Sequence, residues 1–194
     1  VGAIGDDGGG FLSGSVRSFR RGVSGYQLEH VFSGLSGAEY GSSLAADENW
    51  LAIGAVGLGY IEMWKRDRFG WVYDSIIVDS QGADGDGFGS SLDLKDDVLV
   101  VGSPTYTTDV GEAGCVTVWR LNSMGQWQFE ERLLAEDRVE GDNFGTSLSI
   151  DSLGQLLVGS PGRDASGVDS GIAILYSGGP DGWFESARFG NNVA

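Results

Sequence analysis

Residues Phe144–Tyr176 read FGTSLSIDSLGQLLVGSPGRDASGVDSGIAILY, and this stretch decides the fold. It opens on the aromatic-glycine pair Phe144-Gly145 and continues through the short apolar segment Leu148-Ser149-Ile150. Turn residues Asp151-Ser152-Leu153-Gly154 follow, then the apolar run Leu156-Leu157-Val158, which stops at Gly159-Ser160-Pro161. A polar, glycine-rich loop carries Asp164 and Asp169, and Gly171 launches a third run, Ile172 to Tyr176. Short apolar runs bounded by turn residues, with no helical period between them, predict β-strands.

The rest of the chain is further copies of this stretch. The aromatic-glycine pair recurs as Tyr40-Gly41, Phe88-Gly89 and Phe144-Gly145, a period of about fifty residues that is typical of repeat architectures. The apolar run ending in Gly-Ala or Gly-Ser recurs as Val1-Gly2-Ala3, Ile53-Gly54-Ala55, Val101-Gly102-Ser103 and Val158-Gly159-Ser160. Third runs begin at Gly14, Gly59, Gly114 and Gly171, each followed five residues later by an aromatic: Phe19, Trp64, Trp119 and Tyr176. Fourth runs begin at Tyr26, Trp71, Trp127 and Trp183. The repeats span residues 1–39, 40–87, 88–143 and 144–194, the first without its opening strand. Glu39, just ahead of the Tyr40-Gly41 that opens the second repeat, stands in the region where Asp86 and Asp142 precede the later FG pairs.

Four strands per repeat predict an all-β fold. Runs such as Leu99-Val100-Val101 and Ile172-Ala173-Ile174-Leu175 do not alternate with polar residues, so their strands are buried on both faces. A β-propeller of four-stranded antiparallel blades buries its sheets this way and protects their edges. The aromatics Phe19, Trp64, Trp119 and Tyr176 are then expected in the seams between blades, each burying on the order of 150–250 Å². Residues 1–194 read as one propeller domain or a segment of one. Val1 aligns with the middle of a repeat, which predicts an upstream segment. The hexapeptide Phe189-Gly190-Asn191-Asn192-Val193-Ala194 resembles a further repeat opening.

Composition agrees with this class. The chain has 34 glycines and only 3 prolines in 194 residues; without a three-residue period this points to turns rather than collagen. The net charge of −16 disfavours nucleic acid and anionic membranes as partners. The single cysteine, Cys115, excludes an internal disulfide and paired-cysteine zinc motifs, and its place in a strand predicts a core residue. No run approaches the roughly 20 apolar residues of a membrane span.

The pairs Phe88-Gly89 with Val101-Gly102-Ser103-Pro104, and Phe144-Gly145 with Val158-Gly159-Ser160-Pro161, resemble the FG-GAP repeat. That family includes the propeller of integrin α chains. The resemblance covers essentially the whole chain. It implies a β-propeller, typically of seven blades, that is usually extracellular or lumenal and works in adhesion or protein–protein contact. Integrin-type blades often place a DxDxDG calcium loop between the FG and GAP strands. Here those connections are Ala46-Asp47-Glu48-Asn49, Asp93-Leu94-Lys95-Asp96-Asp97 and Asp151-Ser152-Leu153-Gly154, which lack alternating oxygen ligands around a central glycine. The chain therefore looks like a short-hairpin branch of the family, without the integrin calcium loops.

Acids cluster instead after the GAP elements: Asp6 and Asp7, Asp109 and Glu112, Asp164 and Asp169. A second set, Asp84, Asp86 and Asp142, precedes the FG pairs. Turn chemistry accounts for most of these; if calcium binds, Asp164 and Asp169 are the candidate ligands. No cofactor is otherwise called for. No GxSxG, HExxH or phosphate-loop motif occurs, and the one histidine, His30, falls in an outer strand at the surface or edge. The expectation is a non-enzymatic scaffold for protein partners, adhesion-like or an assembly subunit. The alternative is a ligand-binding or accessory module of a larger secreted enzyme. Two closures of the ring stay open. The family resemblance favours seven blades, whereas pairing Phe189–Val193 beside Val1–Ala3 would close four.

Overall fold

The computed structural model describes residues 1–164, 170–179 and 181–190. They form two compact units, Val1–Asp79 and Ser80–Ala194. In the first unit, blade 1 has three strands, β1 (Gly2–Ala3), β2 (Ser15–Gly22) and β3 (Gly25–Ser33), in that order. Blade 2 is the meander β4 (Tyr40–Ala46), β5 (Trp50–Ala55), β6 (Tyr60–Asp67) and β7 (Gly70–Val78). In the second unit, blade 3 comprises β8 (Ser91–Lys95), β9 (Val98–Ser103), β12 (Cys115–Leu121) and β13 (Trp127–Leu133). A two-residue ribbon that sequence reasoning missed, β10 (Thr107–Thr108) with β11 (Gly111–Glu112), lies in its post-GAP loop. Blade 4 is β14 (Ser147–Ile150), β15 (Gln155–Ser160), β16 (Ile172–Gly179) and β17 (Gly182–Phe189). Every pairing between neighbouring blade strands is antiparallel, and the described residues hold no α-helix, only a 3-10 turn at Val56–Leu58.

The second strand of blades 2 and 3 is buried throughout, as its unbroken apolar pattern requires. Cys115 is fully buried on β12. Each third strand pairs with its outer strand across a bulge placed at the aromatic: between Ser18 and Phe19, Met63 and Trp64, Val118 and Trp119, and Leu175 and Tyr176. A bulge adds a residue to one strand, increases the local twist and re-aims the side chains beyond it.

The core lies in the seams. In the first unit, Val16 and Phe32 of blade 1 pack with Tyr40, Leu51 and Ile53 of blade 2, and Trp64 closes the cluster with its ring 4.8 Å from Phe32. In the second, Val98, Val100, Val116 and Val118 of blade 3 pack with Phe144, Leu156, Ile174, Tyr176 and Trp183 of blade 4. Trp64 and Tyr176 thus fill seams as expected. Trp119 is buried against Phe88 and Phe129 of its own blade, with centroids 6.5 and 5.6 Å away. Phe19 departs from expectation: it is 46% exposed, because it lies on β2 beyond the stretch that β1 covers.

The repeated glycines are explained by backbone approaching backbone. A Cβ on Gly102 would sit 2.1 Å from the carbonyl oxygen of Gly145 in the next blade, and one on Gly2 would sit 2.3 Å from that of Gly41. Gly145 itself has φ +93°, in the left-handed region that favours glycine. The launching glycines complete the joint through parallel bridges, Gly14 to Tyr40 and Gly114 to Phe144.

Phe189-Gly190 is not a further blade opening. Phe189 pairs with Ala173 as the last residue of β17, and Gly190 lacks the positive φ shared by Gly41, Gly89 and Gly145. Val193 lies outside the described residues, and with it the four-blade closure.

Candidate functional site

In each blade the post-GAP loop and the loop entering the blade emerge at the same end of the sheet, because four antiparallel strands put both there. The acids at this end are engaged in holding the loops. Asp86 and Asp142 are buried, and their carboxylates accept the backbone N–H groups of Ala83 (2.6 Å) and Val139 (2.8 Å). Their own carbonyls accept N–H groups from the post-GAP residues Thr105 (3.3 Å) and Gly162 (3.1 Å). In blade 2 the equivalent carbonyl belongs to Ala38, which accepts from Gly57 at 3.1 Å. The acid of that repeat is therefore one residue off the expected position: Glu39 takes the left-handed site (φ 50°) held elsewhere by Gly87 and Asn143.

Charge pairing continues outward. Arg163 donates to Asp142 at 2.9 Å and to Asp137 at 2.7 Å, and Arg188 reaches Asp137 at 2.6 Å. Burial pushes the Asp137 carboxyl up, but the hydrogen bond from Arg188 and the charges of Arg163 and Arg188 outweigh it and hold it below its ordinary value. A carboxyl with a depressed folded pKa contributes stability above its unfolded pKa, about 3.9 for Asp, and loses it as pH falls through the folded value. Thermal melts from pH 5 to pH 2 are therefore expected to fall less steeply for Asp137→Asn than for the unaltered chain. Identical slopes would show that the pairing carries no net stabilisation.

Asp109 is held low in the same direction by its hydrogen bond from Arg138. Asp6 is lowered by the hydroxyl of Ser15 (2.7 Å) and the N–H of Gly8 (3.1 Å). Asp7 accepts from the N–H of Leu12 at 2.8 Å. Asp84, Glu112 and Asp164 are exposed, and Asp169 lies outside the described residues. Among the described residues no three His, Cys, Asp or Glu side chains gather as a metal site. His30 is half-buried in the seam of the first unit, 4.4 Å from Phe32 and 5.7 Å from Trp64, rather than at the surface. Sequence reasoning missed Asp93, whose carboxylate crosses to the next blade and accepts the N–H of Ile150 at 2.8 Å.

Apolar side chains are left uncovered on the outer strands. Tyr73, Ile76 and Val78 of β7 stand opposite Trp64, Glu62 and Tyr60 and so share one face of blade 2, yet they are 50%, 50% and 54% exposed. On β3, Tyr26 and Leu28 are exposed as well. Antiparallel blades, joined within each unit where a GAP glycine (Gly2 or Gly102) meets the carbonyl of the next aromatic-glycine pair (Gly41 or Gly145), are thus the frame on which this surface sits.

A sequence profile of the FG-GAP repeat family matches residues 71–116 and 127–176. The chain carries FG-GAP repeats. Each match runs from an outer strand, β7 or β13, through the FG and GAP strands to the third strand of the next blade, so the FG-GAP unit straddles the blade boundary. Among solved structures, the crystal structure of a protein from Lactobacillus plantarum superposes with a TM-score of 0.59 at 12% identity. The alignment covers 90% of this chain and 48% of that one, so the FG-GAP chain spans about half of its length. At that identity the likeness shows the fold alone, which is propeller-like. No curated protein sequence matches the chain. No helix among the described residues is long and apolar enough to cross a membrane.

Proposed function

We propose that this FG-GAP chain is a non-enzymatic scaffold for protein partners, adhesion-like or an assembly subunit, acting outside the cell or in an organelle lumen. An FG-GAP propeller fold suggests a module for protein interaction or ligand binding, and such repeats are typical of extracellular proteins. The observation that carries the scaffold reading is the row Tyr73, Ile76 and Val78. Three large apolar side chains on one face of an outer strand stay about half exposed in a chain of net charge −16. Contiguous apolar surface rimmed by polar residues marks interaction sites. The engaged acids of the loop end support the reading from the other side, since Asp86 and Asp142 serve the fold.

The test is capture from an extracellular protein fraction on immobilised chain, with a variant carrying Ile76→Lys and Val78→Lys alongside. A specific partner retained by the unaltered chain and lost by the variant is the expected result. Equal retention by both would move the contact elsewhere, and turnover of any substrate in a hydrolase panel would sink the non-enzymatic part.

A further inference from the structure

A cleft of about 420 Å³ opens on the outer rim of the seam in the second unit. Leu133 of β13 and Glu136 just beyond it stand on one wall; Tyr176 of β16 with Trp183 and Glu185 of β17 forms the other. Both walls belong to complete four-stranded blades.

The first unit shows what this place holds in another seam. Gly14 corresponds to Gly114 and Gly59 to Gly171, and the strand registers carry the match outward. Phe32 faces Val16 as Leu133 faces Val116, and His30 faces Ser18 as Glu131 faces Val118. Tyr73 faces Trp64 as Glu185 faces Tyr176. In the first unit these positions form a cluster of rings, with His30, Phe32 and Tyr73 at 5.7, 4.8 and 5.7 Å from Trp64. In the second unit the same four positions hold Glu131, Leu133, Tyr176 and Glu185. Three rings are replaced, two of them by carboxylates, and the cleft lies there.

The hydroxyl of Tyr176 is an independent mark. Its counterparts Trp64 and Trp119 donate their indole N–H to the side chain two residues earlier, Glu62 at 3.1 Å and Thr117 at 3.0 Å. Two residues before Tyr176 stands Ile174, which has no polar atom to offer. Tyr176 is only 5% exposed, and its hydroxyl has no hydrogen-bond partner among the described residues. A buried polar group in that state is costly, so the site favours a ligand that completes it. Burial pushes the phenol above its ordinary value, and the charges of Glu185, Glu136 and Asp137 add to the rise against the opposing charge of Arg188.

The cations nearby are already engaged. Arg132 donates to Gln81 at 3.0 Å and to the hydroxyl of Tyr106 at 2.7 Å, with its guanidinium over the Tyr106 ring. Arg188 is shared between Glu185 and Asp137. Glu131 accepts the N–H of Trp183 at 3.0 Å, and Glu136 is exposed.

We infer that this cleft receives a lysine side chain of a partner polypeptide, its stem on Leu133 and Trp183 and its ammonium among Glu136, Glu185 and the Tyr176 hydroxyl. The inference rests on the interaction reading above and gives it a second contact. An ammonium brings three donors and no acceptor, which suits two carboxylates and a hydroxyl oxygen. Arginine fits less well. Its fork wants a carboxylate with both oxygens free, and Arg188 already donates to both oxygens of Glu185. The net charge of −16 favours a basic partner in the same sense.

The probe is the acetylated, amidated pentapeptide Gly-Gly-Lys-Gly-Gly, titrated against the chain by tryptophan fluorescence, which Trp183 reports from the cleft wall. Saturable binding is expected, and none of the same peptide acetylated on its lysine ammonium. Tyr176→Phe should weaken binding about ten-fold, as the loss of a hydrogen bond to a charged group allows, and leave the urea midpoint unchanged or higher. Glu136→Gln, at an exposed position, should weaken it up to about five-fold. No saturation by about 10 mM, equal binding of the acetylated-lysine peptide, or unchanged affinity in Tyr176→Phe overturns the proposal. So does tighter binding of n-butylamine than of the peptide, which would make the occupant a free amine. The variant carrying Ile76→Lys and Val78→Lys should bind the peptide as the unaltered chain does. Partner capture without peptide binding therefore sinks the cleft alone, and the converse sinks the outer-strand reading alone.

Discussion

Gly102→Ala is expected to unfold the second unit or to cost it at least about 3 kcal/mol, the upper range for forcing atoms into a packed interior. The new Cβ would stand 2.1 Å from the carbonyl oxygen of Gly145 and 2.2 Å from the hydroxyl of Ser91. Neither can yield cheaply. The first is backbone, and the second is fixed by its own hydrogen bond to that carbonyl at 2.7 Å. Relief means parting the two blades, which exposes the cluster around Val116, Val118 and Phe144. Gly154→Ala is the control. Its φ of +74° makes alanine costly by roughly 1–2 kcal/mol, but the only neighbour of a Cβ there is the Gly178 oxygen at 3.6 Å. Urea melts followed by circular dichroism should separate the two variants clearly. Equal midpoints would mean that the seam is not closely packed.

Trp119→Ala is expected to cost about 3–5 kcal/mol, the range for deleting a buried aromatic. Trp119 is only 9% exposed and packs edge-on to Phe88 and Phe129. Its indole N–H donates to the hydroxyl of Thr117 at 3.0 Å. Trp119→Phe keeps most of the ring and loses that bond, so it should cost nearer 1 kcal/mol. A change below about 1 kcal/mol for the alanine variant in the same melts would place Trp119 at the surface. Stacking on a ligand would then become its more natural role.

The blades were legible in the sequence because their landmarks are backbone requirements. Glycine stands where two chains meet, at Gly2 and Gly102, and only glycine fits there. Trp64 and Tyr176 were legible for a related reason, since burying a large ring is strongly favourable. Phe19 obeyed the same spacing and stays exposed, because burial depends on the neighbouring strand and not on the residue. Phe189-Gly190 copied the letters of a blade opening while its backbone continued β17. The outer-strand row was hidden by the bulge between Met63 and Trp64. Tyr73 and Ile76 are three apart, a spacing that puts them on opposite faces of a regular strand. The extra residue turns them to the same one. The pairings of Arg163 with Asp142 and of Asp93 with Ile150 join residues far apart in the chain, beyond any local pattern.

The glycine joint has a further meaning. One half of it, the GAP glycine, belongs to the preceding blade, and the other half, the FG carbonyl, to the following one. At both joints, Gly2 with Gly41 and Gly102 with Gly145, a plug on one repeat thus meets a socket on the next, a head-to-tail contact that does not complement itself. A duplicated repeat inherits both halves, so its copy can dock without a single new contact having to evolve. Tandem duplication can therefore lengthen such a chain by reusing a contact that it already has.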